Sequence, residues 1–486
     1  MKRYLPIVSI ASVLLVCTPT APAQSAGEVD KLKQQLQELQ ENFNRQQLLQ
    51  QQQIEALTKK LNEVIQQSTA ASDQKKLESQ RALDLATNRP NASASAAALA
   101  PAPWSPVQPL TVARSGASYL NLSFDALFAV GGSTAQNIEA LEYGGHDPKQ
   151  NGFTVQNLEM TLDGKVDPYF KGQANIVMQI NPAGETSVEV EEAYLETISL
   201  PWNLQVKAGQ YFTQFGRINP QHPHAWDFVD QPLVNGRFLG PDGLRNPGAQ
   251  ISWLTPTPFY SELFFSVQNS GGETATSFRD VEGAKLITQR PGVDTSVQNV
   301  GDMLYAPRYA MSFDLGDEHT MVLGGSGAFG PNASGQDGRT AIYGADLFYK
   351  WKSRKHDKGF PFVTWQTEYL YSHYSAAAYP GDINNPPSAA TTINNWGVYS
   401  QVSYGFQPRW VASLRGDYVT GRPGDFWTNP LLNDRYRISP ALTFYPSEFS
   451  KIRLQYNYDH IQNTGPENSL WLQFEFLLGA HSSHKF

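Results

Sequence analysis

The sequence predicts an all-β transmembrane barrel of about 16 antiparallel strands, preceded by an N-terminal α-helical coiled coil. Three observations predict it. From Ser118 onward, segments of about ten residues alternate apolar with polar side chains, as strands with one lipid face and one wet face must. The connections between them alternate between short turns and long loops, the mark of an even, closed antiparallel barrel with two unlike ends. The composition is 17% charged, against roughly 25% for a typical soluble protein, and 12% aromatic. Mean hydropathy is −0.41, too polar for a helical membrane protein. The net charge of −8 argues against a nucleic-acid partner.

The first residues read as a secretory signal over 1–23. Lys2 and Arg3 precede an apolar stretch from Leu5 to Val16, too short to span a bilayer, and Ala21-Pro22-Ala23 supplies a small-x-small cleavage pattern. The alternatives are a membrane anchor or lipidation at Cys17; the stretch is short for the first, and Leu14-Leu15-Val16 lacks the small residue the second requires. With Cys17 removed, the mature chain has no thiol chemistry.

Residues 24–87 predict a periplasmic coiled coil. Val29, Leu32, Leu36, Leu39 and Phe43, then Ile54, Leu57, Leu61 and Val64, follow three-four spacing, joined by a stutter between Phe43 and Ile54. Gln46, Gln50 and Gln53 weaken its middle, and a solvated Gln-rich spacer is the alternative. An Ala/Pro-rich linker, 88–117, follows, where closely placed prolines prevent a continuous helix. The barrel is expected over 118–486.

Sixteen strands are predicted at 118–130, 152–165, 169–180, 187–199, 203–213, 248–254, 258–269, 303–315, 319–329, 339–351, 360–374, 394–406, 410–420, 434–445, 449–461 and 469–479. Ile452, Leu454, Tyr456 and Tyr458 alternate with Lys451, Arg453, Gln455, Asn457 and Asp459, for example. A soluble β-sandwich is the competing fold, but its strands typically run only about five or six residues.

Glu191-Glu-Ala-Tyr-Leu-Glu196, followed by Val206-Lys-Ala-Gly-Gln-Tyr-Phe-Thr-Gln-Phe-Gly216, resembles the paired-strand signature of the phosphate-selective porin O/P family. The helical segment before the barrel is similar to that of coiled-coil-bearing, dicarboxylate-uptake relatives. The resemblance implies a trimeric sixteen-stranded porin of the bacterial outer membrane, with an in-folded third loop and basic residues along the pore. The family pattern has proline before Phe-Gly, where this chain has Gln214. At the C-terminus, Phe486 resembles the terminal aromatic that barrel assembly reads, although clean alternation ends at Leu478.

In such a barrel the polar strand faces line the lumen. Alternation places Arg415, Arg435, Arg437, Lys451 and Arg453 there, offset by Asp417 and Asp459, with Lys171 and Arg308 as further pore-lining candidates for binding anions. Planar guanidinium groups suit phosphate and carboxylate. Glu159, Asp163, Glu192 and Glu196 form an opposing acidic wall. The same charges could simply pair and keep the lumen wet. The third connection at the external end, 214–247, is 34 residues and rich in aromatics and prolines, so it is a candidate constriction loop, with Arg217, His222, His224, Arg237 and Arg245 as its anion contacts. His222-x-His224 without cysteine or a fixed third ligand predicts no metal site, and no cofactor is expected. No Gly-x-Ser-x-Gly, His-Glu-x-x-His or Walker pattern occurs, so the chain is read as no enzyme. The expected function is passive diffusion of small hydrophilic solutes, preferring anions such as phosphate or carboxylates. The expected partners are outer-membrane lipid, two further copies in a homotrimer, small anionic solutes and peptidoglycan. The alternative is a structural anchor that tethers the coiled coil to peptidoglycan or a partner protein.

Overall fold

The computed structural model describes residues 110–293, 296–421 and 433–479. The signal, coiled coil, most of the linker and the Phe486 terminus lie outside the described residues.

The short strand β1 (Leu110–Ser115) precedes sixteen long ones. These are β2 (Ser118–Ser133), β3 (Gly152–Lys165), β4 (Phe170–Ile180), β5 (Thr186–Thr197), β6 (Leu204–Phe212), β7 (Arg245–Leu254), β8 (Tyr260–Gln268), β9 (Leu304–Asp314), β10 (His319–Pro331), β11 (Arg339–Asp357), β12 (Phe360–Ala376), β13 (Thr391–Gln407), β14 (Trp410–Val419), β15 (Arg435–Ser447), β16 (Ser450–Ile461) and β17 (Gly465–Leu478). Each pairs antiparallel with the next, and β17 returns to β2 from Ser469↔Ser133 to Leu478↔Phe124, closing a sixteen-stranded barrel. Closure removes both sheet edges, so within lipid every strand finds a backbone partner. Where β17 stops, β1 takes over the same edge of β2, from Leu110↔Leu122 to Ser115↔Ser118. The expected linker therefore gives way to strand pairing eight residues before Ser118. Strand β7 starts at Arg245 rather than 248. Pro247 has no N–H to give the ladder, but its carbonyl accepts from the Asn269 N–H at 2.9 Å.

Alternation sets which face turns inward. On β15, Arg435, Arg437 and Ser439 are buried while Tyr436, Ile438 and Leu442 are exposed on the outer surface. A one-residue slip would carry each arginine to the lipid face, costing roughly 2–4 kcal/mol near the midplane. Away from the turns, two bulges among the described barrel strands break the alternation. Asn175 pairs with Glu192 and Ile176 with Val190, so Glu191 is inserted, and both Glu191 and Glu192 turn inward. Leu127 pairs with Asn157 and Phe128 with Val155, which likewise turns both Gln156 and Asn157 inward.

Aromatic residues ring the outer surface at two levels. Phe259–Phe313 and Trp410–Phe444 meet near the short-turn end, with centroids 4.8 and 4.7 Å apart. Tyr369–Trp396 and Tyr436–Tyr458 meet near the long-loop end. On β13, Trp396 and Phe406 are ten residues apart. At about 3.4 Å per residue and a tilt near 40°, that is roughly 26 Å along the barrel axis, the height of an outer-membrane apolar band.

Candidate functional site

The connection 213–244 lies inside the barrel, because it bonds to inward-facing side chains on opposite walls. It enters beside β10 and β12. The Gly216 N–H donates to Ser326 Oγ at 3.0 Å, and the Ile218 N–H to Glu368 Oε1 at 2.7 Å. Gly216 has φ +59, and a Cβ there would meet the Glu368 carboxylate at 2.0 Å, so this close approach requires glycine. Phe215 is fully buried against Gly344. The loop then crosses to the acidic wall, where a short turn over Pro223–Ala225 has His222 just before it and His224 within it, their rings stacked 5.7 Å apart. His222 Nδ1 is 2.8 Å from Glu191 and 3.4 Å from Glu159, and its Nε2 is 3.1 Å from Glu192. His224 Nδ1 is 3.4 Å from Glu159 and 3.8 Å from Asp125. Burial pushes the His222 imidazole down, but Glu159 and Glu191 outweigh it and hold it well above the usual range.

Next the loop reaches the basic wall. Lys451 and Arg453 donate to the His224 and Trp226 carbonyls, and Gln455 Oε1 accepts from the Val229 N–H at 2.7 Å. Asp230 is the centre of this contact. Its Oδ1 accepts from Arg415 at 2.6 Å and Gln455 at 2.9 Å, and its Oδ2 from Arg437 at 2.7 Å and Asn457 at 2.6 Å. Burial raises its pKa, but Arg415 and Arg437 win and hold it at about 2. Helix α1 (Leu233–Leu239) follows, packed on β12, β13 and β14, its first N–H donating to Asp417 at 3.1 Å. Gly397 leaves room for Val234 there.

The first long connection, 134–151, also folds inward. Glu142 contacts Arg437 at 2.7 Å, the Leu141 carbonyl accepts from Arg435 at 2.6 Å, and Asp147 accepts from the Gln231 N–H at 2.8 Å. Burial pushes Glu142 up to about 8 despite Arg437, so near neutrality that contact joins a guanidinium to a carboxylic acid. Asp230 and Asp459 then carry the matching charge.

The basic residues named from the sequence are thus brought together on β14, β15 and β16, but as the socket of a loop. Arg415 pairs with Asp230 and Asp417, Arg435 and Arg437 with Asp459, and Lys451 with Glu475; all are at most 4% exposed. Arg453, equally buried, binds Gln473 at 2.9 Å and makes no ion pair among the described residues. Arg308 is bidentate with Asp346 at 2.6 and 3.0 Å, and Lys171 pairs with Glu196 at 2.5 Å near the short-turn end. Asp163 lies on the same stretch of wall, 3.3 Å from Asn121. Arg245 opens β7 and pairs with Glu189, and Arg237 donates to the Thr420 carbonyl at 2.9 Å and stacks on Tyr143. Arg217 stays partly exposed, its guanidinium 3.8 Å over the Phe348 ring and its Nε 3.1 Å from Gln366, with no ion pair among the described residues. Sequence reasoning missed Glu191, hidden by the bulge, and Asp125, Glu142 and Asp230. For Asp230 the available signal was a single acid in an apolar loop opposite a strip of cations.

No sequence-family model matches the chain. Among solved structures, the barrel is similar to an anion-selective porin from Comamonas acidovorans (8% identity, TM-score 0.46, 74% of this chain and 100% of that one). It is also similar to the outer membrane channel DcaP of Acinetobacter baumannii (14%, TM-score 0.45, 75% and 99%) and to Pseudomonas putida OprB (9%, TM-score 0.47, 74% and 94%). An uncharacterized protein of Aquifex aeolicus (strain VF5) is 34% identical over 369 residues, which are 71% of this chain and 73% of that one, and the chain belongs to the same family as that protein.

Proposed function

We propose that this chain is an outer-membrane porin for passive diffusion of small hydrophilic solutes, narrowed by its third loop. The observation that carries the reading is a closed barrel with an apolar, aromatic-girdled exterior and a charged interior crossed by a loop anchored on both walls. The paired-strand signature supports placing it with the phosphate-selective porin O/P group, as a homotrimer with its coiled coil in the periplasm. A preference for anions such as phosphate or carboxylates rests on Arg217 and Arg453, which make no ion pair among the described residues, since the other cations of β14, β15 and β16 are matched by Asp230, Asp417, Asp459 and Glu475. Purified protein in a planar bilayer should give discrete conductance steps and, in a salt gradient, a reversal potential on the anion side. Arg217→Gln should move that potential toward cations; if it stays put, Arg217 does not set selectivity.

Burial of the inner face favours a second reading. Inward side chains from β12 to β17 are nearly all inaccessible, as in a plugged anchor that tethers the N-terminal segment to peptidoglycan or a partner protein. Such a barrel would show no steps.

A further inference from the structure

Where the third loop meets the acidic wall, the charges do not balance. Asp125, Glu159, Glu191 and Glu192 face His222 and His224, with His146 also against Glu191, and all seven residues are at least nine-tenths buried. Buried carboxylates need a counter-charge or hydrogen bonds. Neither Asp125 oxygen accepts a hydrogen bond, and Glu191 Oε2 and His222 Nδ1 also lack one, although those two atoms lie 2.8 Å apart. Two polar atoms at hydrogen-bond distance but without hydrogen-bond alignment have the geometry of neighbouring ligands on one ion.

The distances fit a small cation. Glu159 Oε2 lies 3.4 Å from both His222 Nδ1 and His224 Nδ1, and one ligand atom each from Glu159, Glu191 and His222 fall within 4.8 Å of one another. Tetrahedral zinc with bonds of about 2.0–2.1 Å sets its ligands roughly 3.3 Å apart. The outer contacts are also in place. His222 Nε2 faces Glu192 at 3.1 Å, the carboxylate-on-imidazole arrangement that fixes the tautomer of a metal-bound histidine. Glu159 Oε1 is held by Thr161 at 3.1 Å and by Asn175, while its Oε2, which accepts from Asn157 at 3.3 Å, faces both rings; Glu191 Oε1 faces His146 Nε2 at 3.4 Å, which leaves its Oε2 aimed at the centre. Two imidazoles with carboxylates select the zinc class of first-row divalent ions over calcium or magnesium, which take oxygen.

We propose that Glu159, Glu191, His222 and His224 form a binding site for a zinc-class divalent cation that fastens the third loop to β3 and β5. The expectation of no metal site considered the histidine pair alone; the fold adds the carboxylates from two other strands.

The alternative occupant is protons, with both rings as imidazolium ions. To separate the two, full-length protein in detergent is stripped with EDTA, incubated with ZnCl2, desalted and assayed by elemental analysis, with affinity read by competition against a chromogenic chelator. One zinc per chain is expected. It should be lost in His222→Ala and in the shape-preserving Glu159→Gln, and kept when His481 and His484 near the C-terminus become Ala. Glu192→Gln, which touches only the outer contact, should bind roughly 10–100-fold more weakly. Failure of the reloaded wild type to retain zinc, or retention undiminished in Glu159→Gln, would overturn the site.

Discussion

Asp230→Asn should loosen the third loop without unfolding the barrel. The substitution keeps the shape of the side chain but removes its charge. It also turns an NH2 toward either Arg437 and Asn457 or Arg415 and Gln455, all of which donate. Breaking a buried ion pair by removing one partner typically costs about 3–5 kcal/mol. Here Arg415 retains Asp417 at 2.7 Å and Arg437 retains Asp459 at 2.9 Å, so the lower end of that range applies. At 1.36 kcal/mol per tenfold, about 3 kcal/mol raises the ratio of undocked to docked loop by roughly two orders of magnitude. Helix α1 and the Phe215 contacts still hold the loop's two ends, so its middle is the part freed. The assay is single-channel recording, with heat-modifiable gel migration as the control for folding. Larger or flickering conductance is expected. A folded variant with wild-type conductance and noise would refute the idea that Asp230 latches the loop.

Deleting Pro220 to Gly243, which spares Arg245 as the first residue of β7, should raise conductance severalfold; unchanged conductance would place the constriction elsewhere. Removing residues 24–87 should leave trimeric, conducting barrels on native mass measurement, whereas monomers would show that the helix holds the assembly. Acid should not open the channel until very low pH. The Asp230 pKa is depressed to about 2, so its contribution is full above the unfolded value of 3.8 and is lost only as pH falls through 2. Glu142 and Asp147, raised to about 8 and about 6, act oppositely: their contribution is lost as pH rises through those values, so docking of the first loop should weaken from pH 5 to 8. The groups facing them are Arg437, Asp459 and Asp230, and conductance noise across that range is the readout.

All sixteen barrel strands were legible because a lipid face and a wet face impose a period of two that few other contexts sustain over ten residues. The same period hid Glu191. Simple alternation from Glu192 and Glu196 sends it outward with Ala193 and Leu195, and nothing in the residue string marks the inserted position. Strand β1 was unreadable because six residues after a proline-rich run carry too little pattern. The position of the basic strip on the inner face was also legible. Its partners were not, since Asp230 lies 185 residues from Arg415 and 207 from Arg437, and only the fold brings such distant groups together. The inward path of the first loop had no signal beyond its length.

The paired-strand signature acquires a physical meaning from these contacts, and that meaning bears on selectivity. The bulge at Glu191 turns two successive carboxylates inward, so one faces each ring nitrogen of His222; a regular strand would offer only one. At the other end of the signature, Phe215 and Gly216 lodge the loop against β11 and β12. Both halves therefore position the third loop. A loop so placed brings Asp230 into the basic wall and neutralises it, and brings imidazoles into the acidic wall and offsets that. The field left in the lumen is then the field of whatever the loop does not match. Arg217 stands among those groups, partly exposed on the face of Phe348. On the proposed porin reading, charge selectivity would be set by the docked loop more than by the strands, so substitutions in the wall should change loop occupancy before they change ion preference.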